Sequence, residues 1–344
     1  MILFSVSEKK YNFSAMKHIL SYLIEHKTLS KEAAKHALLK IAKGEINPSQ
    51  TAAFLTVYMM RSITVEELEG FRDAMLELCL VADLDDYNPI DICGTGGDGK
   101  DTFNISTCSS FVVAAAGVNV AKHGNYGVSS AVGSSSIMEH FGYTFTNDIS
   151  VLKKQMDNCG ICFMHAPLFH PAMKNVGPIR RELGLKTFFN MLGPMINPAF
   201  PKNQLVGVFS LELARLYGYL YQKTDKNFSI VHSLDGYDEI SLTGPFQIIS
   251  NKKQQIIEPV EIGFKKLKKE ELSGGSSIEE SAKIFTNVLE NKSTEAQKNV
   301  VLANAAAGIM SANPGSGMEE SIAKARLALE SGKAFAGFKK LIGA

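Results

Sequence analysis

The densest chemistry in the chain is the run Asp91-Ile92-Cys93-Gly94-Thr95-Gly96-Gly97-Asp98-Gly99, in which four of the six positions from Gly94 to Gly99 are glycine. An apolar run leads into it and, after Thr102, Asn104-Ile105-Ser106-Thr107 opens a helix. Glycine lets successive backbone N–H groups converge on one anion, and a helix N-terminus adds partial positive charge, so this run suits phosphate. A tight strand-to-helix turn without a ligand would use the same residues. The run lacks the Gly-Lys-Ser/Thr of a Walker loop, and its Gly-x-Gly-Gly-x-Gly spacing departs from the dinucleotide fingerprint.

Three further clusters follow, the first two at the ends of later apolar runs. Lys122-His123-Gly124-Asn125 precedes Val128-Ser129-Ser130 and Gly133-Ser134-Ser135-Ser136. Read as a loop past a strand end, it turns Lys122 toward the first glycine loop and offers a point charge and hydroxyl donors to a second anionic group. A serine-rich loop with an ordinary surface lysine fits equally well. Asp235-Gly236-Tyr237-Asp238-Glu239 supplies adjacent carboxylates, which suit Mg²⁺ held by one or two acidic side chains plus substrate oxygens, or else form a solvated acidic turn. His170-Pro171-Ala172-Met173-Lys174, with Arg180, Arg181, Asn190 and Gly193-Pro194 behind it, pairs guanidinium groups able to clamp a carboxylate with a wall for an aromatic ring. The two arginines serve equally as solvated surface charges. Cys159-Gly160-Ile161-Cys162 stands alone among apolar neighbours and reads as buried strand rather than a redox or zinc site.

The elements that must position these groups fall into two textures. Residues 14–85 show apolar side chains three and four apart, with helix starts at Ser30, at Asn47-Pro48 and at the capping-box pattern Thr64-Val65-Glu66-Glu67. From Pro89 onward short apolar runs alternate with helical stretches: Ile90–Cys93, Val118–Ala121, Ile161–Met164, Leu205–Phe209 and Phe228–Val231. That alternation predicts crossover units and a mostly parallel sheet covered by helices on both faces. The expected fold class is therefore α/β, with a small all-helical domain over 1–87 and a larger α/β domain over 88–344. The stretch from His170 to about Pro201 is too polar for another crossover helix and either returns to the helical domain or bridges the two. Residues 251–276 read as surface strands and loops, and the tail from Ile278 as helices.

Composition narrows the function classes. A chain of 344 residues with net charge +1, 45% hydrophobic and 21% charged residues is neither disordered nor a polybasic nucleic-acid binder. Five cysteines, an odd number, suggest reduced thiols rather than a disulfide framework. The start of the sequence has no export-signal pattern, and the most apolar stretch, Phe111–Ala121, is too short to span a membrane. A cytoplasmic enzyme is expected.

Taken together and in this order, Gly94-Thr95-Gly96-Gly97-Asp98, Asn104–Thr107, Lys122–Asn125, His170–Lys174 and Asn190-Met191-Leu192-Gly193-Pro194 resemble the signatures of the anthranilate phosphoribosyltransferase family. The likeness runs over most of the chain. It implies a helical domain joined to an α/β domain of the nucleoside phosphorylase type, an active site in the cleft between them, and a homodimer formed through the helical domains. The implied activity joins anthranilate to 5-phosphoribosyl-1-diphosphate in tryptophan biosynthesis, with Mg²⁺ as cofactor. By the family's pattern Gly94, Gly97, Asp98, Thr102, Asn104, Ile105, Ser106 and Thr107 hold the diphosphate and ribose, completed by Lys122, His123, Gly124, Asn125, Ser129, Ser130 and Ser134. Ser106, Asp238 and Glu239 hold the metal, Gly94, Asn125 and Arg180 face anthranilate, and Lys122, Asn125 and Arg180 are the catalytic candidates. Three positions depart from the pattern. Tyr126 stands where the family usually has arginine, Lys186 replaces another arginine without its bidentate fork, and His165 replaces an apolar residue. A pyrimidine-nucleoside phosphorylase and a non-catalytic nucleic-acid-binding relative are the alternatives. The former lacks Lys-His-Gly-Asn in its second loop, and the balanced charge argues against the latter.

Overall fold

The computed structural model describes residues 15–127 and 132–343, so Ser129 and Ser130 of the expected site lie outside the described residues. The chain divides into two compact units. One comprises the described residues up to Leu80 together with His170–Ile196, and the other comprises Val81–Phe169 with Asn197 and the residues after it.

The first unit is helical. Its helices Lys31–Ala42, Pro48–Met60 and Val65–Glu77 begin where capping chemistry allows: Ser30 accepts from Ala33 N, Asn47 from Gln50 N, and Thr64 forms a reciprocal capping box with Glu67. Alanines 34 and 37 line the buried face of the first of these, and Gly70 lets the last approach it. A Cβ at Gly70 would lie 2.3 Å from the Lys31 carbonyl oxygen. Glu67 has no exposed surface, and its carboxylate gathers Leu29 N (2.9 Å), the Tyr58 hydroxyl (3.0 Å), Thr64 N (3.0 Å) and the Arg61 guanidinium. One buried charge thus fastens two helices and a loop, which is tolerable only because it is paired and fully hydrogen-bonded.

The segment His170–Ile196 belongs to this helical unit. Contrary to its polar composition, it contains an 11-residue helix, Met173–Leu183, that carries Pro178 inside it and ends at Gly184 in the left-handed conformation (φ +64°). This is no crossover helix. Val176 and Ile179 are its buried side chains, Asn175 donates to the Ala42 carbonyl (2.7 Å), and Phe188 stacks on Phe71 at 4.3 Å. Two apolar positions suffice because only one stripe of the helix is covered.

The second unit is built on a seven-stranded sheet in the order β3-β2-β1-β4-β5-β6-β7. The strands are β1 Ile90–Gly94, β2 Val120–Gly124, β3 Ile161–His165, β4 Asn203–Gly207, β5 Asn227–Ser233, β6 Phe246–Ser250 and β7 Gln254–Ile257. The first five are parallel, and at one edge β6 pairs antiparallel with β5 and β7 antiparallel with β6. Apolar runs bounded by glycine mark the parallel strands, as expected for a sheet buried on both faces. The helix Glu295–Ala312 packs on β1, β4, β5 and the helix Ile105–Ala115. Its alanines, and Gly308 against Ile92 and Val113, permit that close approach.

The order β1 to β2 in one direction and β4 to β5 in the other places a topological switch between β1 and β4, where open α/β sheets bind ligands beyond the carboxyl ends of their strands. In the helical unit, Glu67→Ala removes the acceptor of at least four donors and leaves the buried edge of Arg61 without its partner. It is expected to cost about 3 to 5 kcal/mol of stability, measured as a lowered denaturant midpoint by circular dichroism.

Candidate active site

At the switch, the last residues of β1 and β4 are glycines paired in register, Gly94 with Gly207. Asp238 sits over both. A Cβ on Gly94 would lie 2.3 Å from Asp238 Oδ2, and one on Gly207 would lie 1.5 Å from the Asp238 carbonyl oxygen. A larger residue at Gly207 collides with the Asp238 backbone and one at Gly94 with the Asp238 carboxylate, so two missing side chains define the seat of the acidic segment and the position of its carboxylate.

The glycine loop folds against the same carboxylates. Gly96 and Gly97 adopt φ of +64° and +81°, and Gly96 N donates to Asp238 Oδ2 (2.7 Å). Ser106 N, in the first turn of Ile105–Ala115, donates to Glu239 Oε1 (3.0 Å), and the Thr102 hydroxyl lies 3.4 Å from Glu239 Oε2. Asn104, the N-cap residue, makes no side-chain cap and donates instead to the Val132 carbonyl (3.1 Å). Glu239 therefore supplies the acceptor for this helix N-terminus. Thr102 is fixed from outside, since its neighbour Phe103 donates to the Leu272 carbonyl (3.1 Å) and Gly274 N donates to the Asp101 carbonyl (3.0 Å). Lys100 ties the loop's far end to the acidic turn through the Asp235 carbonyl (2.7 Å) and the Tyr237 ring (4.8 Å).

Crowding three carboxylates has an electrostatic consequence. Burial, and then Asp98, push Asp238 up to about 7, and burial with Asp238 and Asp98 pushes Glu239 well above the usual carboxylate range. The group is short of positive charge. Its donors are all hard oxygen: two carboxylates with the Ser106 hydroxyl on the adjoining helix turn. That set fits a magnesium ion completed by substrate oxygens and waters. Among the described residues no three acidic, histidine or cysteine side chains are grouped so as to hold a metal ion by themselves.

Lys122 differs from its expected place. β2 continues through Gly124, so Lys122 is a strand residue, 1% exposed, rather than part of a loop. Its ammonium donates to the Ile92 carbonyl of β1 (2.7 Å), beneath the carboxylates rather than in the crevice. Burial lowers its pKa, against the pull of Cys93, Asp91 and Glu239. His123 is likewise buried, its backbone N–H donating to Asp91 Oδ1 (3.2 Å). Beyond it Gly124 makes room for Phe163 and Ser134, and the Asn125 carbonyl accepts from Ser134 Oγ (3.2 Å) and Ser135 N (3.1 Å). Tyr126 is exposed, donates to Glu139 (2.7 Å) and meets His165 edge-on at 4.9 Å, so two of the three departures from the family pattern touch each other.

Thr107, in the first turn of Ile105–Ala115, is buried, and its hydroxyl has no hydrogen-bond partner among the described residues. In the helical unit, Arg180 lies over the Phe189 ring (5.1 Å) and reaches Asn190 Oδ1 (3.4 Å). Its Nε is buried and has no partner among the described residues. Such an orphaned donor is costly unless an acceptor arrives.

Sequence reasoning passed over Gly207 and Asn304. The first read only as part of an apolar strand, although a glycine at a strand end signals close backbone approach. Asn304 lines the same crevice as Gly94, Ser106, Gly207, Asp238 and Glu239, from a helix whose alanine-rich sequence suggests packing alone.

The glycosyl transferase family, a/b domain, matches residues 86–335, and the same family's helical bundle domain matches residues 17–79. The anthranilate phosphoribosyltransferase of Christiangramia forsetii is 62% identical over 326 residues, covering 95% of this chain and 98% of the relative. That of Bacteroides thetaiotaomicron is 51% identical over 327 residues, covering 95% and 98%. Among solved structures, the Thermus thermophilus anthranilate phosphoribosyltransferase superposes with a TM-score of 0.88 at 32% identity, covering 94% of this chain and 98% of the other. The Saccharomyces cerevisiae enzyme in complex with PRPP and Mg gives 0.88 at 27% identity, covering 95% and 97%.

Gly207→Ala tests the seat directly. The added methyl must displace the Asp238 backbone by an ångström or more, and a shift of that size at a reacting centre costs roughly 10²-fold in rate. The expected result is a folded protein whose kcat/KM falls about that far, measured alongside its circular dichroism spectrum.

Proposed function

The chain belongs to the anthranilate phosphoribosyltransferase family of glycosyl transferases, and from that premise we propose that it transfers the phosphoribosyl group of 5-phosphoribosyl-1-diphosphate to the amine of anthranilate. The products are N-(5-phosphoribosyl)anthranilate and pyrophosphate, a step of tryptophan biosynthesis. The observation that carries the reading is the Asp238–Glu239 pair seated over Gly94 and Gly207, with the glycine loop and a helix N-terminus turned to the same point. The same relatives disfavour the phosphorylase and nucleic-acid-binding alternatives.

In this proposal the glycine loop from Gly94 to Asp98, Thr102 and residues 104–107 receive the diphosphate and ribose. Their backbone amides and hydroxyls meet the negative charge that grows on the leaving pyrophosphate. Asp238, Glu239 and Ser106 hold Mg²⁺, which when bound supplies further charge neutralisation for that leaving group. The bond from C1 of the ribose to the diphosphate oxygen breaks with its electrons going to pyrophosphate. C1 becomes oxocarbenium-like, and the aromatic amine then attacks. The amine's proton leaves after the C–N bond forms, so no residue is assigned as general base. Lys122, buried beneath the pair, balances its negative charge from below through the sheet. His123 to Asn125 and Ser134 complete the phosphoribosyl site, together with Ser129 and Ser130.

Arg180 is assigned to the anthranilate carboxylate. Its guanidinium is already oriented by Asn190 and Phe189, and the partnerless Nε supplies the unused donor that a carboxylate accepts. By the family's pattern Gly94 and Asn125 are likewise proposed as anthranilate-binding positions. The proposal includes a homodimer formed through the helical unit, where Ile24 and Met60 expose apolar surface, and work in the cytoplasm. No described helix is long and apolar enough to cross a membrane.

Mixing the protein with anthranilate, donor and Mg²⁺ is expected to extinguish anthranilate fluorescence, with no decay when donor is left out or chelator is added. A flat trace from folded protein contradicts the reading. Arg180→Ala is expected to raise KM for anthranilate about tenfold or more while leaving that for the donor nearly unchanged; the opposite pattern removes Arg180 from the carboxylate site.

A further inference from the structure

The acidic turn that carries Asp238 and Glu239 has no regular secondary structure between β5 and β6, and it must hold two carboxylates together beside Asp98. Its backbone includes Leu242 at φ +59°, a conformation that disfavours a branched side chain. The turn has bonds of its own, among them Ser233 N to the Tyr237 carbonyl (3.1 Å) and Leu234 N to the Pro245 carbonyl (2.9 Å), and a contact from outside it acts on the residue next to Glu239. The helix Glu295–Ala312 is almost wholly apolar along its buried length, yet at its middle stands Asn304, 3% exposed. Asparagine is a poor residue for a helix interior, and an amide buried there is costly unless all its groups are satisfied.

Every polar atom of that amide is used. Oδ1 accepts from Ile240 N (3.0 Å), and Nδ2 donates to the Ile240 carbonyl (2.9 Å) and to the Val300 carbonyl one turn back (2.9 Å). The last bond fixes the side-chain rotamer, and the first two bracket both backbone groups of the residue that follows Glu239. A second hold acts on the same segment. Ser233 Oγ, at the end of β5, donates to the Glu239 carbonyl (2.7 Å) and accepts from Ser241 N (3.1 Å).

We infer that Asn304 is a positioning residue for the metal-binding carboxylates: bracketing Ile240 from the helix below, and aided by Ser233, it aims Asp238 and Glu239 at the Gly96 and Ser106 amides. This rests on the assignment of Asp238 and Glu239 as magnesium ligands. Residues that orient metal ligands from behind usually cost 10–100-fold in metal affinity when removed. Asn304 does this through backbone rather than through a ligand side chain, so its loss loosens both carboxylates at once.

Equilibrium dialysis of the full chain against Mn²⁺, with 5-phosphoribosyl-1-diphosphate on both sides, measures the retained ion without reference to turnover. Asn304→Ala is expected to raise the half-saturating Mn²⁺ concentration about tenfold or more, with KM for anthranilate unchanged. A role in folding alone would lower the melting temperature and leave half-saturation at the wild-type value, and that result overturns the inference. Ser233→Ala probes the second hold should Asn304→Ala fail to fold. A rise in half-saturation supports the inference, and an unchanged value contradicts it. Asp238→Asn separates the two levels. If it retains as much Mn²⁺ as wild type, the metal assignment fails and takes the inference with it. If it loses the ion while Asn304→Ala keeps it at wild-type affinity, the inference alone fails.

Discussion

Two side chains that are absent set the geometry of the crevice. Gly94 and Gly207 end neighbouring parallel strands in register, and only their bare backbones leave room for Asp238 to settle across the switch between β1 and β4. From that seat the rest follows. Glu239, one residue on, reaches the N-terminus of Ile105–Ala115, and the glycine loop closes over Asp238 through Gly96. The crevice is thus a consequence of steric permission at the sheet, onto which the electrostatics are then written.

The electrostatics run against the interests of the folded chain alone. Carboxylates crowded with little water raise one another's pKa, and a lysine buried beneath them is pushed the other way. The helical unit offers an instructive contrast. There the buried Glu67 collects an arginine and enough further donors to be satisfied without any visitor, whereas Asp238 and Glu239 meet the Gly96 and Ser106 amides and the Thr102 hydroxyl with a third carboxylate, Asp98, set against them. A structural charge is complete by itself, and a functional one is left to be completed by cation and substrate. Arg180, with its buried and partnerless Nε, follows the same rule with the sign reversed.

Much of this could be read from residue order. Four clustered glycines before a helix start, apolar runs bounded by glycine and caps at Ser30, Asn47 and Thr64 are local signals, and each element they predict is present. Signals that depend on partners far away in sequence were not legible. Lys122 and His123 are polar enough to pass for loop, and only the pairing of β2 with β3 through Gly124, and the Ile92 carbonyl awaiting the ammonium, reveal them as strand. Pro178 and a high polar content hid the helix Met173–Leu183, which needs to bury only two apolar side chains. Gly207 and Asn304 carry no motif of their own; their meaning comes from Asp238 and Ile240, about thirty and sixty residues distant in sequence.

The central claim is that the carboxylates seated on Gly94 and Gly207 form, with the first turn of Ile105–Ala115, the cation site of the crevice. Crystals grown with Mn²⁺ and 5-phosphoribosyl-1-diphosphate, with data collected near the manganese absorption edge, test it most directly. The account predicts an anomalous peak coordinated by Asp238, Glu239 and the diphosphate. A bound diphosphate with its manganese ligated by neither carboxylate would contradict it.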